Sequence, residues 1–235
     1  MSIKKLGLLI FMSLISAQIQ ANTYLSTGLY HLNGQNNLTD QTPVTSWSLP
    51  VSLSTYQNNW QYSVSSSWNT ITTEQNEVNQ SVNGLGDTFF RVGYEWSQNP
   101  SITGAALYKL ATGDADKGLS TGADDLGFQL QLYQPIKQKQ SVFGHLGYSF
   151  NGQVTGTDIQ NTVSASIGLG HQLDPNWLVA VSTSYQQSQY QSLDDQVSLE
   201  TSLSVQISPL TSLGLFAGRD NTQTTTLGLS FSRKL

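Results

Sequence analysis

The sequence predicts an all-β fold: a single antiparallel transmembrane β-barrel with short periplasmic turns and long extracellular loops. Three observations predict it. Apolar and polar residues alternate in about twelve separate runs, the period of a strand with two unlike faces. The connections alternate between tight turns and long polar stretches, the plan of a bacterial outer-membrane barrel. The less apolar face carries Ser, Gln, Thr and Gly. It lacks the dense Lys and Glu of a water-exposed surface. It therefore reads as a small-residue lumen, with the apolar face on lipid.

Met1 to Ala21 stands apart. Lys4 and Lys5 precede the apolar run Leu6 to Ile15, and Ala17-Gln18-Ile19-Gln20-Ala21 offers small and polar residues before a cut. This is the pattern of a cleaved signal peptide. Residues 22–235 are then the barrel.

The strands follow in order. The first runs from Thr23 to about Leu32. The second aligns Trp47, Leu49, Val51 and Leu53, and the third Trp60, Tyr62, Val64, Ser66 and Trp68. The fourth sets Phe90, Val92, Tyr94 and Trp96 against Phe89, Arg91, Gly93 and Glu95. The fifth sets Ile102, Gly104, Ala106, Tyr108 and Leu110 against Thr103, Ala105, Leu107 and Lys109. In the sixth, Leu126, Phe128, Leu130 and Leu132 alternate with Gly127, Gln129, Gln131 and Tyr133. The seventh sets Val142, Gly144, Leu146, Tyr148 and Phe150 against Phe143, His145, Gly147 and Ser149. The eighth aligns Val163 through Leu173, the ninth Trp177 through Tyr185, and the tenth Val197 through Ile207. The eleventh is short, with Leu213, Leu215 and Ala217. The last aligns Leu227, Leu229, Phe231 and Leu235. Twelve is an even count, as such barrels require; ten is the fallback if the first and eleventh fail.

Tyr56–Asn59, Ser97–Pro100, Leu173–Asn176 and Ser208–Thr211 are tight turns rich in Asn, Pro, Asp and Ser. On the opposite edge lie Asn33–Thr42, Asn69–Gly84, Ala111–Asp125, Gly152–Gln160 and Gln186–Asp195. Trp47, Trp60, Trp68, Tyr94, Trp96, Tyr148, Trp177 and Tyr185 fall mostly near strand ends, where interfacial girdles form. Closure gives every backbone N–H and C=O a partner, so no edge meets lipid.

Composition excludes several classes. There is no cysteine, hence no disulfide scaffold and no thiol chemistry. Without Lys4 and Lys5 the chain has 8 basic and 15 acidic residues, a formal charge of −7. So acidic a chain is a poor nucleic-acid binder.

A motif set runs from Gly84 to Pro135. It comprises Gly84-Leu85-Gly86-Asp87-Thr88, Lys109-Leu110-Ala111-Thr112-Gly113-Asp114, Gly118-Leu119-Ser120-Thr121-Gly122 and Asp124-Asp125. Over this stretch the chain resembles the transporter-like outer-membrane proteins of the meta-pathway of phenol degradation. Ala111 stands where the family pattern has proline. The resemblance implies a barrel and suggests passage of small, often aromatic, molecules.

The candidate chemistry is electrostatic. Asp114, Asp116, Asp124 and Asp125 fall in the acidic, glycine-rich loop Ala111–Asp125. Asp114 and Asp116 have the spacing of calcium-loop ligands, but the glutamate at the twelfth position is absent, so solvated turns are expected and no metal site. Arg91, Glu95, Lys109, His145 and Glu200 sit on polar strand faces, hence in the lumen. They form either a constriction that selects solutes by charge and size or a network that closes the barrel. Pairing through the Ser97–Pro100 turn brings Arg91 near Leu107 and Lys109. Two adjacent cations need an anion, and Asp87 and Glu200 are the candidates. The histidines are His31, His145 and His171, and no Gly-x-Ser-x-Gly elbow occurs, so no enzyme and no cofactor are expected. The expected function is passive passage of small apolar or aromatic molecules across the outer membrane of a Gram-negative bacterium. The alternative is a non-transporting structural or surface-interaction barrel whose acidic loops contact lipopolysaccharide through divalent ions. Outer-membrane lipid, a small solute and the barrel-assembly machinery are the expected partners. Assembly reads an aromatic-rich final strand, here with Phe231 and a final Leu235.

Overall fold

A computed structural model describes residues 22–35, 42–75 and 78–235. The expected signal peptide lies outside the described residues. Those described form the strands β1 (Asn22–Gln35), β2 (Pro43–Gln57), β3 (Trp60–Gln75), β4 (Val78–Leu85), β5 (Thr88–Gln98), β6 (Ser101–Leu110), β7 (Asp125–Lys137), β8 (Gln140–Phe150), β9 (Thr162–Asp174), β10 (Trp177–Gln186), β11 (Gln196–Ser208), β12 (Thr211–Asp220) and β13 (Thr225–Lys234). Consecutive strands pair antiparallel, except that β4 and β5 both pair with β3, and β1 pairs with both β2 and β13, which closes the sheet.

The barrel has twelve staves, because β4 and β5 are one stave broken at Gly86 and Asp87. β3 pairs with β5 through Trp60–Ser65 and with β4 through Trp68–Gln75. The break is bridged by the Gly86 N–H, which donates to the Ser67 carbonyl at 2.8 Å. Both doubtful strands, the first and the eleventh in sequence order, are present as β1 and β12.

Residues 69–75 and 78–84 were expected to be loop and are strand instead. Asn69, Thr70, Thr72, Thr73, Gln80 and Ser81 make both faces polar there. A hairpin bathed in water on both sides has no apolar face, so alternation gives no signal. β1, β2 and β3 have 14, 15 and 16 residues, against 10 in β12 and β13. About 9–11 tilted residues suffice to cross a bilayer. The first staves therefore rise past the membrane and wall one side of the extracellular mouth.

Facing is preserved around the ring. Ser26 lies opposite Ser52, Ser52 opposite Ser65, Ser65 opposite Phe89, Phe89 opposite Lys109, and Lys109 opposite Asp125. At the seam Ser26 meets Ser232, with their hydroxyls 2.8 Å apart. All of these point inward. The opposite parity carries the large apolar side chains: Leu199 is 64% exposed, Ile167 59% and Leu215 55%. The only buried hydrophobic residues among those described are Ala105, Leu119 and Ile159. An apolar band of this extent facing water would be an aggregation surface; facing lipid it is solvated. Trp60 packs on Tyr62 and Tyr94 at the short-turn side, with ring centroids 6.2 and 4.9 Å apart. Tyr148 meets Phe150 at 4.9 Å on the long-loop side. These are the two girdles.

Candidate functional site

Two constellations occupy the inner wall. The upper one explains the motif set. Lys109, facing inward on β6, has its Nζ 2.6 Å from Asp125 and 3.7 Å from Asp87, and donates to the Thr121 hydroxyl at 2.7 Å. Thr112 donates to the Gly86 carbonyl at 3.0 Å, and the Gly113 N–H to Asp87 at 3.1 Å. Asp124 accepts from the Ala111 N–H at 2.9 Å and from the Tyr108 hydroxyl at 2.7 Å. Asp125 also accepts from the Gly152 N–H, at 2.8 Å. Residues scattered from Gly86 to Asp125 thus converge on one staple. Gly118 and Gly122, at φ 68° and 79°, give the returning loop its left-handed turns. Leu119 is buried beside Gly84. Of the two anions expected for Lys109, Asp87 engages it and Glu200 does not; Asp125 takes the second position.

The lower constellation is a polar belt. Arg91 lies opposite Leu107 in the register, as expected. Its guanidinium folds flat over Gly93, where a Cβ would stand 3.0 Å from Nη1. Nη1 donates to Gln61 at 2.8 Å and Nη2 to Gln131 at 2.7 Å, and the Gln131 amide donates to Gln129 at 2.8 Å. Gln131 faces His145 across the β7–β8 ladder. His145 Nδ1 is 2.6 Å from the Ser166 hydroxyl, and Ser166 faces Ser184. Ser184 meets Ser198 at 2.7 Å, and Ser198 donates to Glu200 at 2.9 Å. The belt therefore runs from β3 to β11, with Arg91 near one end and Glu200 at the other. Glu95 stands apart, toward the periplasmic end, where it accepts the Ser101 hydroxyl. The sequence exposed Arg91, His145 and Glu200 as inward charges. It gave no sign of Gln61, Gln131, Ser166 and Ser198 as their partners, because Gln and Ser fill every strand.

The remaining arc carries a pair of inward aromatic rings. Inward-facing Tyr30 and Phe216 have ring centroids 6.4 Å apart. Near the mouth, Leu32, Val44, Tyr190, Leu193 and Phe216 line a cavity of about 700 Å³. A second cavity of about 520 Å³ lies along the belt, lined by Gln61, Gln131, Tyr133, Phe143, His145 and Ser166 among others. Ser184 and Glu200 border both, so the two are adjacent. His145 and Ser166 resemble a base and a nucleophile. The carboxylate nearest that role, Glu200, is engaged instead by the Ser198 and Ser182 hydroxyls, at 2.9 and 3.5 Å.

The loop acids are used by the chain itself. Asp114 accepts the Asp116 N–H at 3.1 Å and pairs with Lys117 at 3.3 Å. Loops 152–161 and 187–195 are zipped by the Ile159–Tyr190 bridge and by the Gln160 N–H donating to the Gln189 carbonyl at 2.9 Å. Asp195 closes the second loop, accepting the Tyr185 hydroxyl at 2.6 Å and the Ser188 N–H at 2.9 Å. These bonds hold its carboxyl below the usual carboxylate range, the tyrosine bond contributing most. A lowered native pKa stabilises above the unfolded value, and the gain is lost as pH falls through the lowered one. Proteolysis of loop 187–195 in proteoliposomes is expected to be slow at neutral pH and to rise only at strongly acid pH. In Asp195→Asn it should be fast at neutral pH, as read by the cleavage pattern.

A closed twelve-stave barrel with an apolar exterior, two girdles and a polar lumen is an outer-membrane β-barrel, which places the protein in the outer membrane of a Gram-negative bacterium. The chain belongs to the family described as "Putative MetA-pathway of phenol degradation", whose model matches residues 30–235. Its fold is similar to that of the COG4313 outer membrane channel from Pseudomonas putida F1, at TM-score 0.75 and 12% identity over 92% of this chain and 96% of that one. It is also similar to the translocator domain of the autotransporter NalP from Neisseria meningitidis (TM-score 0.62, 10% identity, 99% and 96% covered). A further likeness is to the KdgM porin (TM-score 0.60, 10% identity, 89% and 99% covered). No curated protein sequence matches the chain.

Proposed function

We propose that the protein is a passive channel for small molecules with an apolar or aromatic body. The observation that carries this reading is the pair of adjacent cavities in the lumen. The outer one sets Leu32, Val44, Tyr190, Leu193 and Phe216 among Ser, Thr and Gln side chains with Glu200, Arg219 and Asp220, and the inner one sets Tyr133 and Phe143 beside hydroxyls and amides. The apolar side chains of the vestibule offer an apolar solute surface away from water, and the amide and hydroxyl belt leaves a polar substituent hydrated by the wall. A twelve-stave barrel is also wider than the eight-stranded type that side chains fill. The names of the similar folds include a channel and a porin, which agrees with this reading. Acids in the loops give the mouth a negative field, which enriches cations and disfavours anions.

Liposome swelling tests it. Purified protein is expected to admit glycerol and small aromatic alcohols, with the aromatics faster than sugars of similar size. No swelling with any solute, and no single-channel events in planar bilayers, would instead support a non-transporting barrel that contacts lipopolysaccharide through its loops.

A further inference from the structure

The belt ends in two charges of opposite sign, each held by neutral groups; His145 shares the inner cavity with Glu200, and Arg219 shares the mouth cavity with it. Arg91 is held by the neutral amides of Gln61 and Gln131. Glu200 is held by the neutral hydroxyls of Ser198 and Ser182. Among the described residues no ion pair within 4.0 Å involves either. Lys109 shows the contrast: it sits 2.6 and 3.7 Å from two carboxylates, and its charge is satisfied within the wall.

Glu200 stands on the lining of one cavity, and Arg91 stands behind the two amides that line it on the other side. Gln61 and Gln131, which carry Arg91, line the 520 Å³ cavity, and so does Glu200 from β11. Phe143 and Tyr133 lie between them on that lining. The Arg91 wall is fixed by Gly93, because its flat guanidinium occupies the space a side chain there would take. A field therefore points across the lumen from the β3–β7 wall to the β11 wall, in a space where water is confined and charges are poorly screened.

We propose that this cavity is a transient binding site for small zwitterions with an aromatic or apolar body. The anionic group faces the Gln61 and Gln131 amides with the Arg91 charge behind them, the cationic group faces Glu200, and the ring lies against Phe143 and Tyr133. A solute with one charge satisfies one wall and leaves the other unmet. The proposal rests on the channel reading and adds a solute class to it.

The test compares three probes that share a phenyl ring: phenylalanine, phenylpropionate and phenethylamine. Their uptake into proteoliposomes of the full mature barrel is measured beside glycerol, and folding of each variant is verified by heat-modified gel mobility. For wild type, phenylalanine uptake should saturate and exceed both analogues by roughly tenfold, the equivalent of one charge contact. Arg91→Gln should remove the advantage over phenethylamine and leave the advantage over phenylpropionate. Glu200→Gln should do the reverse. Each probe's uptake is divided by that of glycerol in the same variant, so that a change in lumen width cancels. Equal uptake of the three probes by wild type, or equal loss of all three in both variants, overturns the proposal while glycerol flux upholds the channel. Absence of glycerol flux in wild type overturns both.

Discussion

Replacing Lys109 with methionine is expected to destabilise the barrel by about 3–5 kcal/mol, the range found when one partner of a buried ion pair is removed. Lys109, Asp87 and Asp125 have side chains only 10%, 9% and 14% exposed. Without the ammonium, two carboxylates remain close together and nearly dry, with too little water to screen their repulsion. Asp87 also holds the Gly113 N–H and Asp125 the Gly152 N–H, so strain passes into two loops. The measurement is urea unfolding in lipid vesicles, followed by tryptophan fluorescence, with limited proteolysis of residues 111–124 alongside. The double variant Lys109→Met with Asp125→Asn should recover part of the loss, since one charge is removed with its partner. A single-variant loss below about 1 kcal/mol, the level of an exposed pair, would show that the staple does not hold the wall. Lys109→Glu would add a third carboxylate to this cluster. A change in ion preference in that variant would thus be mixed with loss of folding, and Arg91 and Glu200 are the cleaner probes of selectivity.

The second large effect separates two neighbours in one strand. Leu215 is near the middle of β12 and faces lipid, whereas Phe216 faces Tyr30 in the lumen. Arginine on the lipid face at mid-membrane costs about 2–4 kcal/mol. Leu215→Arg should lose that much in vesicle unfolding and fold poorly. Phe216→Arg should fold, because its charge meets water, Ser202 being its neighbour on β11, and should slow the uptake of aromatic solutes. Similar losses in both variants would contradict the assigned facing.

The sequence shows facing where lipid is present, because only there must one face be apolar. Leu126, Phe128, Leu130 and Leu132 announce their stave this way, and Arg91 and Glu95 fall on the other parity. Above the membrane the rule lapses, and β4 with the upper half of β3 is written in residues suited to water on both sides. The pairing of Arg91 with Leu107 was legible because a four-residue turn sets the register. The partners of Arg91 were not. Gln61 and Gln131 lie 30 and 40 residues away in the chain and look like every other glutamine. The motif set was visible as a pattern, but its meaning was not, since only folding brings Gly86, Thr112 and Asp124 to the same place.

The seam between β1 and β13 bears on how the barrel is made. Every other ladder joins strands that follow closely in the chain, while Ser26 and Ser232 meet across a separation of 206 residues. The chain-entropy cost of such a closure grows only with the logarithm of the separation, so length is a minor obstacle. The larger obstacle is the pair of open edges that exist until the seam zips, each a row of amides and carbonyls that hydrocarbon cannot solvate. Biogenesis therefore depends on delaying contact between those edges and lipid, and the slow phase of refolding is expected to be annealing of the first strand to the last.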